Sequence, residues 1–85
     1  MDMADKTFQV KIYSPDKLLG SYEASLLICP ATDGEIGVMA GHAPMLCALR
    51  AGKCRITTPE GKVFAEIGSG FLSVKNDLAE IFSDR

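Results

Sequence analysis

Apolar and polar residues alternate with a period of two along much of this chain, which is the pattern of half-buried β-strands. The alternation is clearest over residues 8–13, where Phe8, Val10 and Ile12 fall on one face. It resumes over residues 21–29, for which we expect one long second strand that becomes buried towards its end. No window shows the apolar spacing of an amphipathic helix without interruption by glycine or proline.

Turn-forming residues divide the remainder of the chain into short strands. A turn is expected at residues 30–34. In the second half, residues 53–67 are predicted to form a hairpin in which Gly61 supplies the positive φ of the turn. Residues 71–82 are predicted to form another hairpin, which turns at Asn76-Asp77 because both side chains tolerate left-handed geometry. Short strands separated by such turns predict an all-β fold, a small antiparallel β-sandwich or barrel.

The length and composition fit one small folded domain, residues 1–85, with residues 1–6 as a flexible leader. The net charge is −2 and no basic run is present, so nothing favours nucleic acid or anionic lipid as a partner. No apolar run approaches the ~18 residues that a membrane-spanning helix needs. The N-terminus also lacks the features of a signal peptide, so we expect a cytosolic location.

The centre of the chain concentrates the residues that could carry chemistry. Its glycines do not match a dinucleotide fingerprint or a P-loop, so no nucleotide site is predicted. His42 with Cys47 or Glu35 supplies too few ligands for zinc, and no metal or cofactor is expected. The histidine is therefore interpreted as a hydrogen-bonded structural or interface residue. Glu35 lies between two glycines of the central loop. It is interpreted either as a contact for another protein or as a solvated loop residue.

The three cysteines, Cys29, Cys47 and Cys54, form no C-x-x-C pair. An odd number without ligand-like spacing favours reduced thiols buried as small apolar residues over a disulfide framework or a zinc cage.

The central residues resemble a known signature. Residues 33–38, Asp-Gly-Glu-Ile-Gly-Val, are followed by residues 41–46, Gly-His-Ala-Pro-Met-Leu. In order and spacing they resemble the motif Glu-Gly-Glu-(Leu/Ile)-Gly-(Ile/Val)-x-Pro-Gly-His-Ala-Pro of the epsilon subunit of F-type ATP synthases. Residues 68–72, Gly-Ser-Gly-Phe-Leu, resemble a later segment of that family. Ala40 departs from the motif, because the family commonly has proline there.

The resemblance implies a β-sandwich of about ten short strands and a non-catalytic role in the rotor stalk. In the family this domain binds the gamma subunit and the polar loops of the c-ring, and it couples the two during ion-driven ATP synthesis. The expected location is peripheral, at the cytoplasmic face of the bacterial inner membrane, with no cofactor.

The resemblance also assigns two groups of contact residues, which we call the ring set and the gamma set. The ring set, expected to lie against the c-ring, consists of Asp33, Gly34, Glu35, Ile36 and Gly37. The gamma set, expected to face the gamma subunit, consists of Ser14, His42, Ala43, Cys47 and Ser73.

Two alternatives remain beside this interpretation. One is a small ligand-binding or enzymatic β-domain that uses His42 and Glu35 in a pocket, and the other is a stand-alone adaptor sandwich. In addition, the sequence ends at Arg85, where most family members continue into a two-helix hairpin that inhibits ATP hydrolysis. This end fits either a shortened form or a naturally short epsilon subunit.

Overall fold

Nine β-strands form one hydrogen-bonded sheet in the computed structural model, which describes residues 6–85. Residues 1–5 of the predicted leader lie outside the described residues. Residues 6–85 contain no helix, and therefore none long and apolar enough to cross a membrane. The strands are β1 (Phe8–Tyr13), β2 (Leu18–Ala24), β3 (Leu26–Ala31), β4 (Gly34–Val38), β5 (Met45–Leu49), β6 (Gly52–Thr58), β7 (Gly61–Ile67), β8 (Gly70–Lys75) and β9 (Leu78–Ser83).

The strand order is β2-β1-β9-β8-β5-β3-β6-β7. Strands β5 and β6 pair with the same edge of β3, and β4 pairs with its opposite edge. The sheet passes from one layer of the sandwich to the other where Ala31 of β3 pairs with Leu49 of β5. Strands β1 and β9 run parallel, whereas the other described pairs are antiparallel. This parallel pair departs from the purely antiparallel prediction. Its partners lie at opposite ends of the sequence, so no hairpin fixes their relative direction.

The core lies between the two layers, and every described strand contributes to it. Phe8, Val10 and Ile12 are buried, as the alternation in β1 predicts. The other buried apolar side chains among residues 6–85 are Ala24, Leu27, Cys29, Pro30, Val38, Leu49, Cys54, Ile56, Ile67, Leu72, Val74, Ala79 and Ile81. This core confirms the predicted all-β sandwich, and nine strands are close to the ten expected.

The predicted long strand over residues 21–29 is wrong, because the chain bends at Ser25. The Ser25 amide donates a hydrogen bond to the Thr57 carbonyl, with N and O 2.8 Å apart. The bend changes the phase of the alternation, so Ala24 is buried before it and Leu27 after it. Leu26 is consequently only half-buried.

The predicted turn at residues 30–34 is shorter in the structure. Pro30 continues β3 and pairs with Glu35, and Ala31 pairs with Gly34. Only residues 32–33 form the turn between β3 and β4. A proline fits there because its missing N–H removes only one donor near the end of the strand.

The two predicted hairpins are confirmed. Thr58 pairs with Gly61 at the first turn, where Gly61 has a φ of 130°. At the second turn Asn76 and Asp77 both have positive φ values, 53° and 57°. Two consecutive left-handed residues match the right-handed twist of the flanking strands β8 and β9.

Candidate functional site

The ring set lies on the β3–β4 hairpin. Four of its residues, Asp33, Gly34, Glu35 and Gly37, are exposed, whereas Ile36 is half-buried and packs against the core. Gly34 has a φ of 135°, which a residue with a side chain rarely adopts. The hairpin therefore displays a short polar segment whose base is held by one apolar side chain.

Glu35 is paired with a residue of another strand. Its Oε1 lies 3.3 Å from a guanidinium nitrogen of Arg55, which projects from β6 across β3. Both side chains are exposed, so the pair contributes little to stability. Its structural effect is to hold the carboxylate against the outer face of β3 and β6.

Residues 39–44, which join β4 to β5 and which we call the histidine segment, are tied to the β8–β9 turn. Gly41, with a φ of 82°, donates its amide to Oδ1 of Asp77 at 2.7 Å. His42 donates its amide to the Met39 carbonyl at 3.2 Å. The His42 ring is half-buried, and its Nδ1 lies 2.7 Å from the Ala43 carbonyl. Since a carbonyl only accepts, Nδ1 is the donor in this contact.

Ser14 and Ser73 of the gamma set have different surroundings. The Ser14 hydroxyl closes the β1–β2 turn, where it accepts hydrogen bonds from the amides of Asp16 and Lys17 at 3.3 and 3.2 Å. Ser73 lies half-buried on the outward side of β8, in register with Leu46 of β5. Ser14 is thus used by a turn, whereas Ser73 belongs to an open sheet face.

Cys47 does not share the face of Ser73. It lies opposite the buried Leu72 in the β5–β8 pair and is half-buried, and burial raises the pKa of its thiol above the ordinary value. The thiol lies 3.7 Å from the Ala48 carbonyl. The alternation within β5 therefore directs Cys47 and its neighbour Leu46 to opposite sides.

A pocket of about 420 Å³ lies beside the ring set. It is lined by residues 31–36 together with Cys47 and Ala48. His42 is not among the lining residues, so this pocket does not combine the histidine with Glu35. Within residues 6–85, no group of three or more His, Cys, Asp and Glu side chains could hold a metal ion. The pocket that contains Glu35 therefore gives no support to the alternative in which His42 and Glu35 share one site.

An exposed apolar surface crosses the outer face of the layer β2-β1-β9-β8-β5. Strand register places five residues side by side across it, and we call them the apolar row: Ala48, Phe71, Phe82, Tyr13 and Leu18. Phe71 is 54% exposed, and Leu46, which pairs with Ser73 in the β5–β8 register, is 72% exposed. Sequence reasoning missed this row. The only signal was that the outward positions of several strands are apolar.

Residues 7–85 match the family model described as the β-sandwich domain of the delta/epsilon chain of ATP synthase. The chain belongs to this family. The nine strands and shared core of this chain agree with a β-sandwich domain, so the resemblance noted in the sequence is confirmed. Family and relatives also agree with the prediction of a non-catalytic subunit type.

Two relatives show how far the similarity extends. The ATP synthase epsilon chain of Pelotomaculum thermopropionicum is 35% identical over 83 residues, which cover 96% of this chain and 61% of that protein. The epsilon chain of Chlorobium limicola is also 35% identical, over 85 residues that cover 99% of this chain and 97% of that protein. The chain therefore spans about three-fifths of the first relative and nearly all of the second.

Solved structures share the fold at lower sequence identity. A chain in the cryo-EM structure of the Euglena gracilis mitochondrial ATP synthase superposes with a TM-score of 0.81 at 22% identity, covering 89% of this chain and 49% of that one. A chain in the Tetrahymena thermophila central stalk and c-ring structure gives 0.74 at 15% identity, with coverage of 94% and 65%. At these identities the likeness establishes the fold alone.

Proposed function

We propose that this domain is a non-catalytic element of the rotor stalk of an F-type ATP synthase, where it couples the gamma subunit to the c-ring. Family membership and relatives named as ATP synthase epsilon chains support this role. Structural neighbours described as central stalk and c-ring assemblies agree with it. In such an assembly the domain is peripheral to the membrane, at the cytoplasmic face of a bacterial inner membrane.

The observation that carries the proposal is the apolar row. Five neighbouring strands present adjacent apolar side chains to solvent, with Phe71 and Phe82 at the centre. A contiguous exposed apolar surface of this kind is typical of a site that a protein partner covers. Burial of aromatic side chains also dominates the energetics of such interfaces. We assign this face to the gamma subunit, together with the adjacent Ser73 of the gamma set.

The ring set has the opposite character. Asp33 and Glu35 have exposed carboxylates on a glycine-bounded hairpin, that of Glu35 also paired with Arg55, and only Ile36 is directed towards the core. An exposed acidic hairpin suits basic or amide groups on the polar loops of the c-ring, where charge complementarity gives specificity more than affinity. One domain thus offers an apolar sheet face to one partner and a polar hairpin to another.

The mechanism that follows is mechanical. All described strands share one core and one hydrogen-bonded sheet, so the domain moves as a closely packed unit. A unit bound to both the c-ring and gamma prevents slippage between them when ion flow turns the ring. The residues of the interface position and hold partners, and no bond is made or broken at them.

The gamma assignment is tested by a pull-down with the purified gamma subunit. Phe71→Glu places a charge in the apolar row and should weaken capture of gamma at least about tenfold, since a buried unpaired charge is costly. Phe64→Glu is the matched control, because Phe64 is 57% exposed but lies on β7 in the other layer. A folded Phe71→Glu variant that binds gamma as tightly as the wild type would overturn the assignment of the apolar row to gamma.

The ring assignment is tested by cross-linking in the assembled enzyme. Glu35→Cys, in a Cys47→Ser background, should form a disulfide with a cysteine introduced into a c-ring polar loop. Glu60→Cys is the control, because Glu60 is an equally exposed glutamate in the β6–β7 turn. Equal cross-linking from both positions, or none from Glu35→Cys in an enzyme that contains the subunit, would contradict this placement.

A further inference from the structure

Two thiols that the coupling role does not use face each other in the core. Cys29 of β3 and Cys54 of β6 are both fully buried, and their sulfur atoms lie 3.5 Å apart. The last pair of the β3–β6 ladder is Ile28 with Arg55, and Cys29 and Cys54 lie one residue beyond it on the two antiparallel strands. Paired residues of antiparallel strands have Cα atoms about 4.5–5.5 Å apart, and a disulfide spans Cα atoms about 4.4–6.8 Å apart, so residues next to such a pair are suitably placed for one.

We infer that Cys29 and Cys54 form a redox-responsive pair, which a small peroxide converts to a cross-strand disulfide in the folded domain and a dithiol reductant restores. The bond needs an approach of about 1.5 Å between the sulfurs, because an S–S bond is about 2.05 Å long. We expect rotation about the side-chain bonds of the two cysteines to supply this approach.

Oxidation of the pair by a peroxide proceeds in two steps. The Cys54 sulfur attacks the peroxide O–O bond, becomes a sulfenic acid and releases the other oxygen as water or an alcohol. The Cys29 sulfur then displaces the sulfenic hydroxyl, which leaves as water with the Cys29 proton, and the disulfide forms. Two electrons pass from the sulfurs to the peroxide.

The hydrogen bond between the thiols favours this order of attack. It lowers the pKa of Cys54, whereas the same bond, together with burial, raises the pKa of Cys29. We therefore assign the first attack on peroxide to Cys54, since the thiolate is the form that reacts. Cys29 then acts as the resolving thiol.

The position of the pair connects it to the proposed contacts. The two cysteines are 25 residues apart, and residues 30–53 between them include the whole ring set and the histidine segment. A disulfide would close this segment at its base and reduce its freedom to open locally. Oxidation would thus stiffen the part of the domain that carries the ring set and three residues of the gamma set, His42, Ala43 and Cys47.

The test exposes the folded 85-residue chain to hydrogen peroxide, then unfolds it and alkylates the remaining thiols with N-ethylmaleimide. Of the three cysteines, only Cys47 should be alkylated, and the mass before alkylation should fall by about 2 Da. Dithiothreitol should restore three alkylated thiols. A peptide map should join the fragments that contain Cys29 and Cys54.

Cys47→Ser is the matched control, because it removes the more accessible thiol and leaves the pair intact. It should form the same disulfide at a rate within about twofold of the wild type, since the reaction bypasses Cys47. Hydrogen exchange over residues 30–53 should be slower in the oxidised form of both proteins.

Four results would overturn the inference. They are three alkylated thiols after peroxide, a mapped disulfide that includes Cys47, oxygen addition at Cys29 or Cys54 that dithiothreitol does not reverse, and a Cys29–Cys54 bond that forms only in urea. The peptide map of the wild-type protein shows which cysteines are joined, so the test does not depend on a variant with a substituted core residue. A Cys29→Ala variant that circular dichroism shows to be folded should form no disulfide between Cys47 and Cys54.

Discussion

The ring of Tyr13 stacks on the ring of Phe82 across the parallel pair that joins the first and last strands. The ring centroids are 5.2 Å apart and the planes are inclined by 10°. The Tyr13 hydroxyl donates a hydrogen bond to Oε2 of Glu80 at 3.2 Å. The centre of the apolar row is therefore held in one orientation before a partner binds, which lowers the entropy lost on binding.

The first prediction concerns the ionisation of Tyr13. Partial burial, followed by the hydrogen bond to Glu80 and its negative charge, raises the Tyr13 pKa above the ordinary value of 10.0. The neutral phenol is thus favoured in the folded state. Its stabilising contribution is fully present below pH 10 and is lost as the pH rises through the folded-state pKa.

An absorbance titration measures this pKa directly. The chain has two tyrosines, so a Tyr22→Phe background leaves Tyr13 as the only phenol. Its midpoint should lie above 10, and Glu80→Gln should lower it without removing the whole shift, since burial is the largest cause. A midpoint at or below 10 in the folded protein would contradict the stacked and hydrogen-bonded arrangement.

Local pattern predicted the strands and hairpins well because each depends on neighbouring residues. Residues 71–82 carry their own turn, and the left-handed geometry at Asn76 and Asp77 follows from their side chains. The bend at Ser25 had no such signal, since neither glycine nor proline marks it. Its cause is a hydrogen bond to Thr57, which lies 32 residues further along the chain.

The two parts of the candidate site also differ in how far the sequence alone could predict them. The ring set is contiguous, so the sequence could place it on one exposed hairpin. Phe71, Phe82 and Leu18 each look like an ordinary exposed apolar residue within their own strands, and only the pairing of distant strands makes them neighbours. Cys47 is close to His42 in sequence, but strand alternation directs it to the pocket beside the ring set.

The second prediction concerns the ion pair of Glu35 and Arg55. Both partners are solvent-exposed, so a double-mutant cycle with Glu35→Gln and Arg55→Ala should give a coupling of about 0.2–1 kcal/mol in urea unfolding. The coupling should largely disappear in about 1 M salt, where charges are screened over ~3 Å. A coupling above about 2 kcal/mol that salt does not change would contradict an exposed pair.

The third prediction concerns Asp77, which holds the histidine segment. Asp77→Ala removes the acceptor for the Gly41 amide and places alanine at a φ of 57°. The two effects should together cost about 2 kcal/mol of unfolding free energy, measured by urea denaturation. Asp77→Asn is the control, because asparagine keeps the acceptor oxygen and tolerates the left-handed backbone, so its cost should stay below about 0.5 kcal/mol. Equal losses for both variants would show that the carboxylate charge matters more than the hydrogen bond.

The fourth prediction compares two glycines in strands. A Cβ on Gly70 would collide with the backbone carbonyl oxygen of Phe82, whereas a Cβ on Gly37 would meet no atom within 4 Å. The atom that a Cβ on Gly70 would meet belongs to the backbone, so strands β8 and β9 would have to separate locally to remove the clash. Gly70→Ala should therefore cost about 2 kcal/mol or more in thermal or urea unfolding. Gly37→Ala should be neutral or stabilising by up to about 1 kcal/mol, because alanine loses less backbone entropy on folding. Similar stabilities for the two variants would mean that β8 and β9 do not approach as closely at Gly70 as described, which would also weaken the register that places Phe71 beside Phe82.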